Sequence, residues 1–551
     1  MASLTTNIYN ATLDCSFAPY LGSYSFFSSI TTHPPDPGPP SLSDAFFQQG
    51  ITHAFGFNQP EALNSFACCL EQDETNAMCH WGMSYGFGPF LNKPKSSDED
   101  LSLAVQYSQL AESYLDDSYK PEEIALVKAT RLRFPDVQTP QSEASKNYRD
   151  AMKALVTKTT TPFSNHADML TLYAESEMDL SMSLGLDYYK YSKQTTHGDA
   201  TESTANALKA LHKVMLIAPD HRMALHLFIH ATEPLTPGTD AAQGEQSADL
   251  LKDLNLYGSG HLEHMPGHLF LRVGRYNDVI QNNILASTAD DLYDLNGHIP
   301  YGPAHNVYFL SVAAQLDGQS QVAITYADKM RDVYETGHFD DGPGAEEGWN
   351  ALLLAYLRFG MYDKVLSDVL SLPPPAGLGL PEGCNYAELL GNFARGVANF
   401  KTGKLEEASS NLKDLESILS CADFNSKYHD RSLVAKYTLE GLIEGDVTKL
   451  KAAADEQNSW TYNSPPHWSL SSNTCLGEMY MKTTQFESAL ASFRADLTEY
   501  PNNPWGLYGL YEAMAALPET YDEEEVAEAL AAAEKAWERS DQVLTTSCYT
   551  V

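Results

Sequence analysis

Residues 476–501 read LGEMYMKTTQFESALASFRADLTEYP, and five of these residues decide the fold. Gly477, Tyr480, Ala489, Phe493 and Pro501 stand at the offsets of a 34-residue helical-hairpin repeat. Each position has a physical reason. The small Gly477 and Ala489 let the two helices of one unit approach closely. Tyr480 and Phe493 fill the space between units. Pro501 ends the second helix, because its ring clashes with the preceding turn and it has no N–H to donate.

The same frame recurs upstream. Gly50, Ala62 and Phe66 mark an early unit, and Gly274-Arg275-Tyr276 with Val279 marks the turn of a central one. Gly318 with Ala323, Gly360 with Tyr362, and Gly403 with Ala408 repeat that turn. Strand-type alternation is nearly absent. The expected fold is therefore an all-α, tetratricopeptide-like α-solenoid, a superhelix of about eight to ten helical hairpins with no significant β-sheet.

Around this array the expected organisation has four parts. Residues 1–42 form an extended arm, since Pro34-Pro35-Asp36-Pro37-Gly38-Pro39-Pro40 cannot be helical. Residues 43–370 carry the N-terminal and central repeats. Residues 371–383 read as a proline- and glycine-rich linker, and 384–551 as further repeats closed by a Glu/Ala-rich final helix.

The chain carries 35 Lys+Arg against 73 Asp+Glu, a formal net charge of −38. Such a surface repels phosphate backbones and anionic lipid, so neither nucleic acid nor membrane is expected as a partner. No apolar stretch reaches transmembrane length, and no Lys or Arg precedes Lys93, so a secretory leader is not recognisable. Eight cysteines without a CxxC pair read as buried free thiols. Together these point to a cytoplasmic protein.

Nine of the 17 histidines fall between His212 and His305. His226 and His230 are four apart, with Glu233 three further on, so all three share one helical face. Two imidazoles at that spacing can chelate one metal ion. His261, Glu263, His264 and His268 follow in HLEHMPGH. Counted back from the Gly274 turn, His261, His264 and His268 stand at positions 2, 5 and 9 of a first helix, the face that lines the groove of such an array. Counted back from Gly318, His305 again occupies position 2. The steps from His226 to His264 and from His230 to His268 are both 38 residues. Neutral imidazoles are unfavourable to bury without partners and protonated ones repel, so a shared metal is the expected resolution. Pro266 either kinks this helix or opens it, the second case leaving His261 and His264 in a loop.

The chain resembles a family of bacterial and eukaryotic tetratricopeptide proteins with a central histidine-rich block. The stretches that carry the resemblance are Gly50–Asn58 (GITHAFGFN), Trp81-Gly82, Gly88-Pro89 with Asn92, Leu172–Glu175 (LYAE) and Ala224–His230 (ALHLFIH). His261–Tyr276 (HLEHMPGHLFLRVGRY), His305-Asn306, Pro465–Trp468 and Leu476-Gly477 complete it. Residues 183–201 look like an insertion. The resemblance implies the fold and the histidine site together and supplies no reaction.

Six imidazoles suit copper first, then zinc or iron. The favoured expectation is an oxidative metalloenzyme with a possibly dinuclear site acting on a small molecule. Glu175, Glu233 and Glu263 are candidate bases or ligands. Arg272, Tyr173 and Tyr301 are candidate substrate contacts. A zinc-dependent hydrolase or lyase, and a non-catalytic scaffold binding a peptide in its groove, are the alternatives. No nucleotide cofactor is expected, because no phosphate-loop or dinucleotide fingerprint is present.

Overall fold

The computed structural model describes residues 41–157, 162–183, 201–335, 345–367, 380–543 and 545–548, with residues 14–16, 21 and 26 from the N-terminal stretch. The proposed linker lies outside these residues except for 380–383, as do residues 184–200 of the proposed insertion. Among the described residues there are helices and no strand; one isolated antiparallel bridge joins Phe90 and Lys93. The fold is an all-α helical repeat of tetratricopeptide type.

The chain divides into two compact units. The first comprises residues 1–235, 243–266 and 285–301. The second comprises 236–242, 267–284 and 302–551. In the first unit, α1 (Leu42–Phe55) pairs with α2 (Gln59–Gln72), and α3 (Ala77–Phe87) packs on α2.

One contact recurs in both units. In the first, the ring of Phe66 on α2 lies between Gly50 of α1 and Gly82 of α3. A Cβ on either glycine would stand 2.5–2.6 Å from the ring. In the second, Phe493 lies between Gly477 and Gly509, where a Cβ would meet the ring at 2.5 and 2.3 Å. The wedge explains the sequence pattern. A large flat ring in a second helix needs a side-chain-free surface on the first helix of its own hairpin and of the next one. The turn glycines behave as expected: Gly274, Gly318, Gly360 and Gly403 have φ between 66° and 77°, where a Cβ is disfavoured.

The cysteines correct the expectation of free thiols. All eight are paired, as Cys15–Cys68, Cys69–Cys79, Cys384–Cys421 and Cys475–Cys548. Cys68 and Cys69 are neighbours on α2, so their side chains leave it in different directions. One reaches the N-terminal stretch and the other reaches α3. The partners of three bridges are 37 to 73 residues apart, which no short motif encodes. Disulfides persist in oxidising compartments and are rare in the cytosol. The cysteine argument for a cytoplasmic protein is thereby removed. No helix among the described residues is long and apolar enough to cross a membrane.

Two outcomes are expected. Gly477→Ala and Gly50→Ala should each destabilise the protein by about 1–3 kcal/mol, the usual range for overpacking. Chemical denaturation measures this, and unchanged midpoints would remove the wedge from the fold. Alkylation of the denatured, unreduced protein should add no label by mass spectrometry. Reduction should expose eight reactive thiols, one for each cysteine of the chain.

Candidate metal centre

The site in the first unit begins with the helix Arg222–Thr232, in which every residue is buried. His221 caps its N-terminus, its Nδ1 accepting the Ala224 N–H at 3.3 Å. With no solvent-facing side, this helix must place His226 and His230 in the interior, 0% and 2% exposed. Each of them makes a directed hydrogen bond through Nδ1. The Nδ1–H of His226 donates to the Phe55 carbonyl at 2.7 Å, and that of His230 donates to Glu233 Oε1 at 2.8 Å. A carbonyl and a carboxylate can only accept. Both rings therefore carry their proton on Nδ1, and each neutral ring presents the Nε2 lone pair.

His261 supplies the third nitrogen. It belongs to the short helix Gly260–His264, and Pro266 opens the next one, Pro266–Arg272, after a break at Met265. Proline thus stands at a first helical position, as one reading of the sequence required, yet His261 and His264 remain helical rather than in a loop. His261 Nε2 lies 3.1 Å from His226 Nε2. The sequence step of 38 residues anticipated His264 opposite His226; the close contact is made by His261, 35 residues on. His264 sits one turn beyond, its ring 6.0 Å from that of His261.

One nitrogen from each of His226, His230 and His261 lies within 4.8 Å of the other two. Imidazole nitrogens around a tetrahedral ion, with bonds of roughly 2.0–2.1 Å, stand about 3.3 Å apart. The His226–His261 distance already matches. Carboxylate– or carbonyl–histidine hydrogen bonds of this kind fix tautomer and ring orientation in metal sites. The residues fit a transition-metal ion on their donor chemistry: three buried imidazoles, two of them held with Nε2 as the acceptor nitrogen.

The other expected residues are distributed as follows. Glu233 orients His230. Glu263 is buried, and burial pushes its carboxyl up to about 7 against the opposing hydrogen bond with the Leu256 backbone. Tyr301 stands edge-on to His261, ring centroids 4.9 Å apart, and its hydroxyl accepts from Asn92 Nδ2 at 3.2 Å. Tyr173 instead donates to Glu177 at 2.7 Å. In the second unit, Arg272 pairs with Glu499 at 3.0 Å and lies over the Tyr462 ring. Also in the second unit, His268 and His305 approach with Nε2 atoms 3.5 Å apart, both against Phe309.

Glu175 belongs to a different cluster. Tyr85 donates to it at 2.6 Å. One turn along the same helix, Asp179 pairs with Arg133 at 2.8 Å, and Arg133 also donates to the Pro89 carbonyl. Burial pushes both carboxyls upward, Asp179 to about 8, against the pull of the single guanidinium. Two carboxylates facing one arginine in an apolar interior retain a proton near neutral pH.

Two contributors were not legible in the sequence. The Phe55 carbonyl is backbone and leaves no residue signature. Phe57 is 1% exposed and stacks on the imidazoles of His230 and His261. Both lie inside the GITHAFGFN stretch of the resemblance, the one signal that marked them.

No model of a known protein family matches the chain, and no curated protein sequence does. Among solved structures, yeast Tom70 is similar over 89% of this chain and 99% of its own, with 13% identity and a TM-score of 0.28. The Cut9–Hcn1 assembly of the APC/C covers 91% and 95%, with 10% identity and a TM-score of 0.29. The human IFIT1 dimer with PPP-AAAA covers 90% and 89%, with 10% identity and a TM-score of 0.27. Scores this low carry no argument about the site. Fold and geometry by themselves define a tetratricopeptide-type helical-repeat protein with a buried cluster of three imidazoles.

A pH dependence follows from the Arg133 cluster. The folded-state carboxyl of Asp179 binds its proton more tightly than the unfolded one. Its contribution to stability therefore declines as pH rises from about 4 to about 8 and is flat above. Asp179→Asn removes this titration. Relative to wild type, the variant should gain stability between pH 5 and pH 8.5 in urea denaturation. A pH-independent difference would contradict the raised carboxyl.

Proposed function

We propose that this protein is a metal-dependent enzyme acting on a small molecule, with His226, His230 and His261 as the ligands of one transition-metal ion. The observation that carries the reading is the pair of Nδ1–H hydrogen bonds, to Phe55 and to Glu233, which leave the Nε2 atoms of two buried rings as acceptors, that of His226 3.1 Å from His261 Nε2. Three neutral nitrogens with no carboxylate among them favour copper, then zinc or iron. When bound, such an ion would supply redox or Lewis-acid chemistry, and we favour the oxidative case.

The chain's own residues have separable roles in this reading. Glu233 and the Phe55 carbonyl hold the ring protons of the ligands on Nδ1. Phe57 and Tyr301, with ring centroids 5.3 and 4.9 Å from that of His261, line it with apolar surface, which suits a small apolar or aromatic substrate. Four disulfides support, in this reading, an oxidising compartment for the enzyme.

A zinc hydrolase or lyase is the second reading, favoured by Glu263. Three histidines with one open position suit catalytic zinc, and Glu263, two residues from His261 and buried, is the candidate base that this reading names.

Elemental analysis of purified protein should find at least one equivalent of copper, zinc or iron. His226→Ala combined with His261→Ala should remove an equivalent while circular dichroism remains helical. Copper with oxygen-dependent turnover supports the oxidative reading, and zinc without redox activity the hydrolytic one. A metal-free wild type that takes up no copper, zinc or iron on reconstitution contradicts both and leaves a binding scaffold.

A further inference from the structure

The turn between α1 and α2 gives the triad more than a carbonyl. Its central residue, Phe57, has φ of 57°. The left-handed region is natural for glycine, acceptable for asparagine and unfavourable for a bulky aromatic side chain. Such outliers persist only where the surroundings impose them, and they concentrate at functional sites. The backbone here is held independently of the ring. Asn58 donates through Nδ2 to the Ile299 carbonyl at 2.9 Å and caps α2 by accepting the Glu61 N–H. A glycine or asparagine at position 57 would make the same turn with less strain, so the phenyl ring itself needs a reason.

The ring contacts supply one. The Phe57 centroid lies 4.5 Å from that of His226, 5.6 Å from His230 and 5.3 Å from His261. It is close to parallel with the last two, at 14° and 28°. One side chain therefore touches all three imidazoles. The hydrogen bonds to Phe55 and Glu233 settle which nitrogen of His226 and His230 is free. They leave each ring able to rock about its Cβ–Cγ bond, and a flat surface against the rings removes that freedom.

Resting on the metal reading above, we propose that Phe57 is the positioning residue of the triad. Its ring fixes the planes of the three imidazoles and excludes water from the side it covers. The strained turn is retained because it delivers this ring. The consequence is a low coordination number, with exchange of substrate or water confined to what Phe57 leaves open. Loss of the ring should therefore change the metal's coordination, whereas loss of a simple packing residue would change only stability.

Cobalt(II) reports coordination number directly, because four-coordinate cobalt absorbs visible light far more strongly than five- or six-coordinate cobalt. The test uses the full chain titrated with cobalt(II) chloride, as wild type, Phe57→Asn, Phe57→Gly and Phe57→Tyr. Wild type should bind with the intense four-coordinate band. Phe57→Asn and Phe57→Gly should remain helical and melt cooperatively, yet bind cobalt about tenfold or more weakly, the usual effect of losing an orienting partner. Their band should collapse toward the weak absorption of higher coordination. Phe57→Tyr, which keeps the ring, should keep the band. If the glycine variant fails to fold, the asparagine variant, better able to hold a positive φ, carries the comparison. Wild-type band and affinity in the asparagine variant would overturn the proposal. A wild type that binds no cobalt would instead overturn the metal reading on which it rests.

Discussion

The hydrogen bond from His226 Nδ1 to the Phe55 carbonyl ties the last turn of α1 to a residue 171 positions later, inside an interior that admits almost no water. Its length of 2.7 Å and its one-way chemistry make the centre a set of acceptors rather than a set of donors. Were His226 protonated on Nε2 instead, its lone pair would face a carbonyl oxygen, an arrangement with no hydrogen bond and a buried repulsion. The tautomer is thus imposed by the fold. Once it is imposed, the short approach of His261 becomes favourable in two ways, through a donated hydrogen bond or through a shared cation.

The repeat architecture makes such a contact possible. Phenylalanine wedges against glycine surfaces bring neighbouring helices close and hold them there, as Phe66 does between Gly50 and Gly82. Close packing removes the solvent face that a histidine-bearing helix would otherwise offer, and the helix Arg222–Thr232 is buried along its whole length. Its two imidazoles are therefore desolvated before any ligand arrives. A site preorganised in this way needs little rearrangement on binding, and its geometry reports the fold more than the ligand.

Much of this was written in the sequence, for definite reasons. Gly477, Ala489 and Phe493 encode helix approach locally, so the repeat could be read without coordinates. The i, i+4 spacing of His226 and His230 is a property of one helix and survived intact. The partner of that pair was harder to name. A constant 38-residue step pointed to His264, while the break at Met265 before Pro266 leaves His261 as the contact. Features that depend on distant backbone or on tertiary strain left no local mark. These include the Phe55 carbonyl, the positive φ of Phe57, and the Tyr85 and Arg133 environment of Glu175. Cysteine pairing belongs with them, since bridges across 37 to 73 residues are set by packing and not by spacing.

X-ray absorption at the metal edge of the reconstituted protein reads the donor set most directly. A centre built from His226, His230 and His261 predicts three imidazole nitrogens at roughly 2.0–2.1 Å with their outer-ring scattering, and loss of that pattern in His226→Ala. A first shell dominated by oxygen or sulfur, or an imidazole signal unchanged by His226→Ala, would contradict it.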